Sequence, residues 1–227
     1  MGQIEELTGQ AIFDRELTKS HGNICGNYKK GSYISTYRGK KLWPLDPNPS
    51  DIDIQDIAHA LSNNCRWTGH VKSFYSISQH SVLVSQIVEP ENALAGLLHD
   101  ASEAYLSDIA RPVKYSEPME GYREIEANLE RVINEKFGLP YPMSIDVKRA
   151  DDMLLTAEGY YLFNTPQQWV LDKLKAAGLE KPLVAPIVCW PPVTAKAMFM
   201  KRFLELNGVK IGVAVEEELE NMNGPSS

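Results

Sequence analysis

Pro90-Glu91-Asn92-Ala93-Leu94-Ala95-Gly96-Leu97-Leu98-His99-Asp100-Ala101-Ser102-Glu103-Ala104-Tyr105 is the stretch on which the fold turns. Ala93, Leu94, Leu97 and Leu98 recur at the spacing of one helix face, so the segment reads as a helix opened by Pro90-Glu-Asn and running through His99 toward Tyr105. Into that apolar face the chain places an imidazole and a carboxylate side by side. Ions on an apolar segment are unfavourable unless paired or bound to a cation. Adjacent side chains on a helix diverge by about 100°, so His99 and Asp100 share an ion only if it lies between their faces. Glu103, four residues after His99 and three after Asp100, falls on the same side.

Outward from this stretch the spacing stays helical. Ile54, Ile57, Ala58 and Leu61 predict a helix capped by Ser50 or Asp51. A second starts near Ser76 to Ser78 and carries His80, Val82, Leu83 and Val84, and Pro112 bounds the segment that follows Tyr105. Ile125, Leu129, Val132, Ile133 and Phe137 form one amphipathic stripe ended by Gly138-Leu-Pro. Further helices are expected from Ser144 or Ile145 to about Phe163, containing Asp151, and from Thr194 to Leu206. Before Asp51, Ser32-Tyr-Ile-Ser-Thr-Tyr and Lys41-Leu-Trp-Pro flank a glycine turn and suggest a small hairpin. The organisation expected is an N-terminal arm over 1–50, one helical domain over 51–210 and an acidic tail over 211–227.

Composition narrows the function. With 227 residues and 43% hydrophobic content, the chain is long enough for one substantial core. Its net charge of -7 disfavours a surface built to wrap nucleic acid, which needs an excess of Lys and Arg. The three cysteines, Cys25, Cys65 and Cys189, form no CxxC pair, so neither a disulfide framework nor a thiolate zinc site is indicated. A reducing cytoplasm, no membrane partner and no export are expected, because there is no apolar run of spanning length and no basic-then-apolar leader. No Gly-rich phosphate loop and no βαβ alternation occur, which disfavours P-loop and Rossmann chemistry.

Two of the five histidines, His80 and His99, lie among apolar residues of expected helices, nineteen positions apart. A lone helical histidine is more often a satisfied core side chain than a ligand. Here a second histidine, an adjacent Asp100, an acid at Glu103 and the Asp151-Asp152 pair on a later helix shift the balance toward a metal. Two imidazoles and two carboxylates make a mixed nitrogen and oxygen set suited to Mn²⁺, Co²⁺, Fe²⁺, Zn²⁺ or Mg²⁺.

Ser78-Gln-His80-Ser-Val-Leu-Val, Leu97-Leu-His99-Asp100-Ala-Ser-Glu103-Ala-Tyr-Leu-Ser-Asp108-Ile-Ala-Arg111-Pro-Val-Lys114 and Lys148-Arg-Ala-Asp151 together resemble the HD-domain phosphohydrolases. More narrowly they resemble bacterial 5'-deoxynucleotidases and phage deoxynucleoside triphosphate hydrolases, over roughly 37–206. The resemblance implies an all-α HD-domain helical bundle with a divalent metal held by His80, His99, Asp100 and Asp151. Asp152 competes with Asp151, and the family's Lys-x-Ala-Asp pattern favours Asp151. Glu103 and Asp108 match positions that handle the attacking water and its protons, while Arg66, Trp67 and Lys114 match substrate contacts. Lys114 or Arg111 could offset the charge on phosphate oxygens, and His70 and Tyr75 are candidates to line the pocket or merely to cap and pack.

The activity implied is hydrolysis of the 5'-phosphoester of a small (deoxy)nucleotide, releasing phosphate or triphosphate, by an enzyme that forms homo-oligomers. A phosphodiesterase or alarmone hydrolase of the same superfamily, or a catalytically silent metal-binding scaffold, are the alternatives. The alarmone group carries a Glu-Asp pair a few residues after His-Asp, where this chain has Ala101-Ser-Glu103-Ala-Tyr. A scaffold needs no proton-handling acids beside its ligands.

Overall fold

The computed structural model describes residues 31–209. The expectations for 1–30 and for the acidic tail lie outside the described residues. The described chain is a bundle of α-helices with one two-stranded antiparallel sheet.

Strands β1 (Ile34–Ser35) and β2 (Lys41–Leu42) pair Ile34 with Leu42 and Ser35 with Lys41. Gly39, at φ 76°, makes the turn the sequence suggested, and the Thr36 hydroxyl accepts from the Lys40 amide at 3.1 Å. The hairpin is tied to the bundle because Arg38 N–H donates to the buried Asp56 carboxylate and Leu42 is fully buried in the main core.

Helix α1 (Ile54–Asn63) is capped by Asp53, which accepts from Gln55 N–H, and not by Ser50 or Asp51 as expected. Those two residues sit in a preceding 3-10 turn, Pro49–Asp51, so the nearest carboxylate before the first apolar residue does the capping. Helix α2 (Ile77–Ile87) is capped by Ser76 and buried around nearly its whole circumference, as befits the centre of a bundle. It packs on α3 (Ala93–Leu98) and, farther along the chain, on α7 (Ile145–Tyr161).

The expected continuous helix to Tyr105 is instead broken. Helix α3 stops at Leu98, and α4 (Glu103–Leu106) follows through turns in which Ala101 N–H bonds Leu98 O and Glu103 N–H bonds Asp100 O. The physical reason is local: the His99 ring takes the Gly96 carbonyl at 2.8 Å, the acceptor that Asp100 N–H would need for the α-helix to go on. Three-residue turns eclipse positions three apart, which sets Glu103 over Asp100.

After α5 (Arg111–Lys114), helix α6 (Glu120–Phe137) buries Leu129, Val132 and Ile133 along the predicted stripe and ends at Gly138 in the left-handed conformation. Of the two starts expected for helix α7, Ile145 is its first residue and Ser144 its cap, whose hydroxyl accepts from Val147 N–H. Helix α9 (Pro192–Leu206) lies against α1 and α2 and places Phe199 in the core beside Leu61, Ile77 and Leu97. Among the described residues no helix is long and apolar enough to cross a membrane.

Helix α8 (Gln168–Ala176) was not foreseen. Only Val170 and Leu174 point inward, one turn apart, too short a pattern to stand out, although Gly178 after it was a legible stop signal. It docks on α7 at Gly159, where an added Cβ would meet Val170 Cγ2 at 2.7 Å and the Trp169 ring at 2.9 Å. Gly159→Ala should therefore force α8 off α7 and destabilise the protein by about 1–3 kcal/mol, the usual scale of overpacking. A thermal melt of the variant that overlays the parent's would show that this close approach is not required.

Candidate metal centre and active site

Three elements converge. Helix α2 brings His80, the end of α3 brings His99 and Asp100, and α7 brings Asp151, with Glu158 two turns farther along the same face. Gly96 sits at the close approach of α2 and α3, where a Cβ would lie 3.2 Å from the Ser85 Cα, a tighter contact than most side chains make.

The donor atoms of His80, His99 and Asp151 lie within 4.8 Å of one another. His80 Nε2 is 3.1 Å from His99 Nε2 and 3.1 Å from Asp151 Oδ1, and His99 Nε2 is 4.0 Å from Asp151 Oδ1. Asp100 Oδ2 stands 3.2 Å from His99 Nε2 and 3.6 Å from His80 Nε2. Ligands about 2.1 Å from a common ion sit about 3 Å apart when adjacent and about 4 Å apart when opposite. The observed separations span that range.

The far side of each imidazole is also fixed. His99 Nδ1 bonds Gly96 O, and His80 Nδ1 bonds Glu158 Oε1 at 2.6 Å. An acceptor on Nδ1 keeps the proton there and turns the Nε2 lone pair toward the cluster, the arrangement of a metal-ligating histidine. His80, His99 and Asp151 could thus hold a metal ion. Asp152, the neighbour, is exposed and pairs instead with Lys173 on α8 at 2.6 Å.

Electrostatics support the same reading. Burial opposes charge on His99, but Asp100 outweighs it and lifts the ring to about 9. Burial likewise opposes ionisation of Asp100, yet His99, His80 and Arg66 hold it well below the ordinary carboxylate range. A field that stabilises a proton between carboxylates stabilises a divalent cation in its place. Glu103 behaves oppositely: burial, then Asp100 and Asp108, push it well above the usual range, and its Oε2 is buried without a hydrogen-bond partner.

Arg66 and Trp67 are brought to the cluster's edge. Arg66 reaches Asp100 Oδ2 at 3.1 Å and Glu158 Oε2 at 3.3 Å, while the Trp67 indole N–H donates to Glu158 Oε2 at 3.0 Å. Their turn, Arg66–Gly69, holds Trp67 at φ 58° and Thr68 at φ 52°, a strained conformation for such side chains. Lys114 is locked to Glu126 at 2.7 Å, with Glu103 and Asp108 within its electrostatic reach. His70 and Arg111 are exposed and have no hydrogen bond or ion pair to the cluster; the Arg111 guanidinium lies 5.0 Å over the Tyr115 ring.

Glu158 was missed by the sequence reading. It is fully buried and accepts from Arg66, Trp67, His80 and the Tyr75 hydroxyl, and these donors hold its carboxylate ionised against burial. The signal was present: a charged residue seven positions after Asp151 on the apolar run Leu154-Leu155-Thr156-Ala157 demands partners. Glu126 and Glu130, beside the apolar stripe of α6, were missed in the same way.

No protein-family model matches the chain. The chain belongs to the same family as the uncharacterized protein YfdR of Escherichia coli (strain K12), with which it is 41% identical over 181 residues, 79% of this chain and 98% of that protein. An uncharacterized protein of Rhodobacter capsulatus is 40% identical over 121 residues, 49% of this chain and 61% of that one.

Two outcomes are expected. Arg66→Ala strips the compensating charge from buried Glu158 and from Asp100, and should lower stability by about 3 kcal/mol in denaturant melts; an unchanged midpoint would mean the pairs contribute nothing. Glu130, in a small cleft with His99, Ser102 and Asn134, is raised to about 7 by burial and then by Glu126. A raised acid favours the folded state below its unfolded value, and that contribution is lost as pH climbs through about 7. Glu130→Gln should therefore gain thermal stability over the parent at pH 8 and little at pH 5; a pH-independent difference would contradict the assignment.

Proposed function

We propose that this protein is a metal-dependent phosphohydrolase of the HD-domain type that cleaves the 5'-phosphoester of a deoxynucleotide, in the cytoplasm and as a homo-oligomer. The observation that carries the reading is the imidazole pair, His80 and His99, with both Nδ1 atoms anchored and both Nε2 atoms turned toward Asp100 and Asp151.

When bound, a divalent ion would supply Lewis acidity to the phosphoryl group and favour ionisation of a nearby water. His80, His99, Asp151 and Asp100 would hold it, and the exposed side of Asp151 leaves an approach for substrate. Water attacks phosphorus as the bond to the 5' oxygen breaks, and the water's proton ends on the departing nucleoside oxygen. Glu103 suits the transfer once a cation bound beside it offsets the burial and the Asp100 and Asp108 charges that favour its neutral form, leaving it ionised to take that proton and pass it on. Arg66, already facing Asp100, offers a fixed cation for phosphate oxygens. Lys114 offers a second one after exchanging its partner Glu126, and the half-buried Trp67 ring offers a surface for sugar or base.

The test is a panel of deoxynucleoside mono- and triphosphates, cyclic diesters and an alarmone, assayed with Mn²⁺, Co²⁺ or Mg²⁺ and with a chelator, identifying phosphate, pyrophosphate or triphosphate. Chelation should abolish turnover. Asp151→Asn should lose both metal and activity, whereas Asp152→Asn should keep both. Pyrophosphate release from the alarmone or cleavage of diesters alone would move the protein to the alternative activities. Metal binding without turnover of any substrate would leave a scaffold, and a wild-type protein that takes up no divalent ion would end the proposal.

A further inference from the structure

Arg66, Trp67, Tyr75 and His80 come from one short stretch of the chain, and their donors meet on one carboxylate of a distant helix that solvent does not touch. The two oxygens divide the work. Oε1 serves His80 Nδ1 at 2.6 Å and the Tyr75 hydroxyl at 2.9 Å, while Oε2 serves Arg66 at 3.3 Å and Trp67 at 3.0 Å. One oxygen therefore faces the metal-holding side and the other faces the strained turn Arg66–Gly69, whose left-handed Trp67 and Thr68 need an outside restraint to persist.

We propose that Glu158 is a positioning residue that couples the metal centre to the substrate arm. It sets the rotation and proton placement of His80 through Oε1 and holds Arg66 and Trp67 in place through Oε2. The inference rests on the metal-centre reading above and adds that occupancy of one side changes the other. A donor lost from Oε2 leaves the carboxylate a stronger acceptor for His80 Nδ1–H, which makes Nε2 a better ligand. Arg66 strengthens the link, because the same guanidinium that rests on Glu158 also grips Asp100. By linkage, an ion that stiffens His80 must in turn alter the arm's affinity for its own ligand.

Four full-length proteins test this: wild type, Trp67→Phe, Glu158→Gln, and the double variant. Mn²⁺ dissociation constants are measured by calorimetry, and the metal-free fluorescence of Trp67 is obtained by subtracting each Trp67→Phe partner. Glu158→Gln should weaken Mn²⁺ binding by roughly 10- to 100-fold, the scale of losing a carboxylate behind a ligating histidine. The Trp67 signal should shift at the same time as the indole loses its acceptor. Trp67→Phe should tighten Mn²⁺ severalfold in the wild-type background and leave it unchanged in the E158Q background. A merely structural role for Glu158 would instead give additive effects in the cycle, and additivity overturns the coupling.

Glu158→Asp guards against simple misfolding: with charge kept, it should retain native circular dichroism and recover more Mn²⁺ affinity than Glu158→Gln. If Glu158→Asp is folded and binds no better, the positioning role is overturned. A wild type that binds no Mn²⁺ overturns the metal-centre reading and with it the coupling, even where the Trp67 shift shows that Glu158 still holds the turn. Wild-type binding with an unaltered constant in Glu158→Gln overturns the coupling alone.

Discussion

A carboxylate placed where water cannot reach it must be surrounded by donors, and the centre of this bundle is arranged around that demand. Glu158 takes four of them, three of which, Arg66, Trp67 and Tyr75, come from the segment between α1 and α2. Their capture fixes the path of a turn that sterics alone would not select. The same carboxylate faces one nitrogen of His80 while Asp151, two turns back on α7, faces the other. A single helix therefore decides both how the ring is oriented and what it is oriented toward.

Charge is balanced locally rather than across the surface. Arg66 spans Asp100 and Glu158, two carboxylates that would otherwise repel one another, and the half-buried Lys114 holds Glu126. Glu103 is left outside this balance, pressed between Asp100 and Asp108 and pushed toward its neutral form. The contrast between Asp100 and Glu103, one favoured ionised and the other pushed toward its neutral form within one turn, is the kind of divided environment that would suit the acid and base roles proposed.

Periodicity carried the fold. The stripe from Ile125 to Phe137 became α6, and its end at Gly138 was readable because a left-handed stop favours glycine. Helix α8 escaped because two inward residues, Val170 and Leu174, make no pattern by themselves. The break after Leu98 escaped for another reason: it follows from one ring capturing one carbonyl, a choice that spacing cannot express. In the site, His80 and His99 were legible because polar groups on an apolar helix are unfavourable without a partner, whereas Asp151 was told from Asp152 by the resemblance carried in Lys148-Arg-Ala-Asp151. The same rule applied to Glu158 and Glu126 would have found them, but neither sits beside a histidine to attract notice. Where Arg66 and Lys114 are concerned, sequence supplied the cations and only structure supplied the carboxylates that hold them.

Gly96 has a wider reach than packing. By letting one helix backbone rest against another, it fixes how far apart two imidazoles stand, and by lending its carbonyl to His99 it fixes how that ring is turned. The width of the cluster that could hold an ion is thus set in part by a residue with no side chain. Were a cation to bind there, a larger residue at this position would alter the width of its seat while every coordinating group kept its identity.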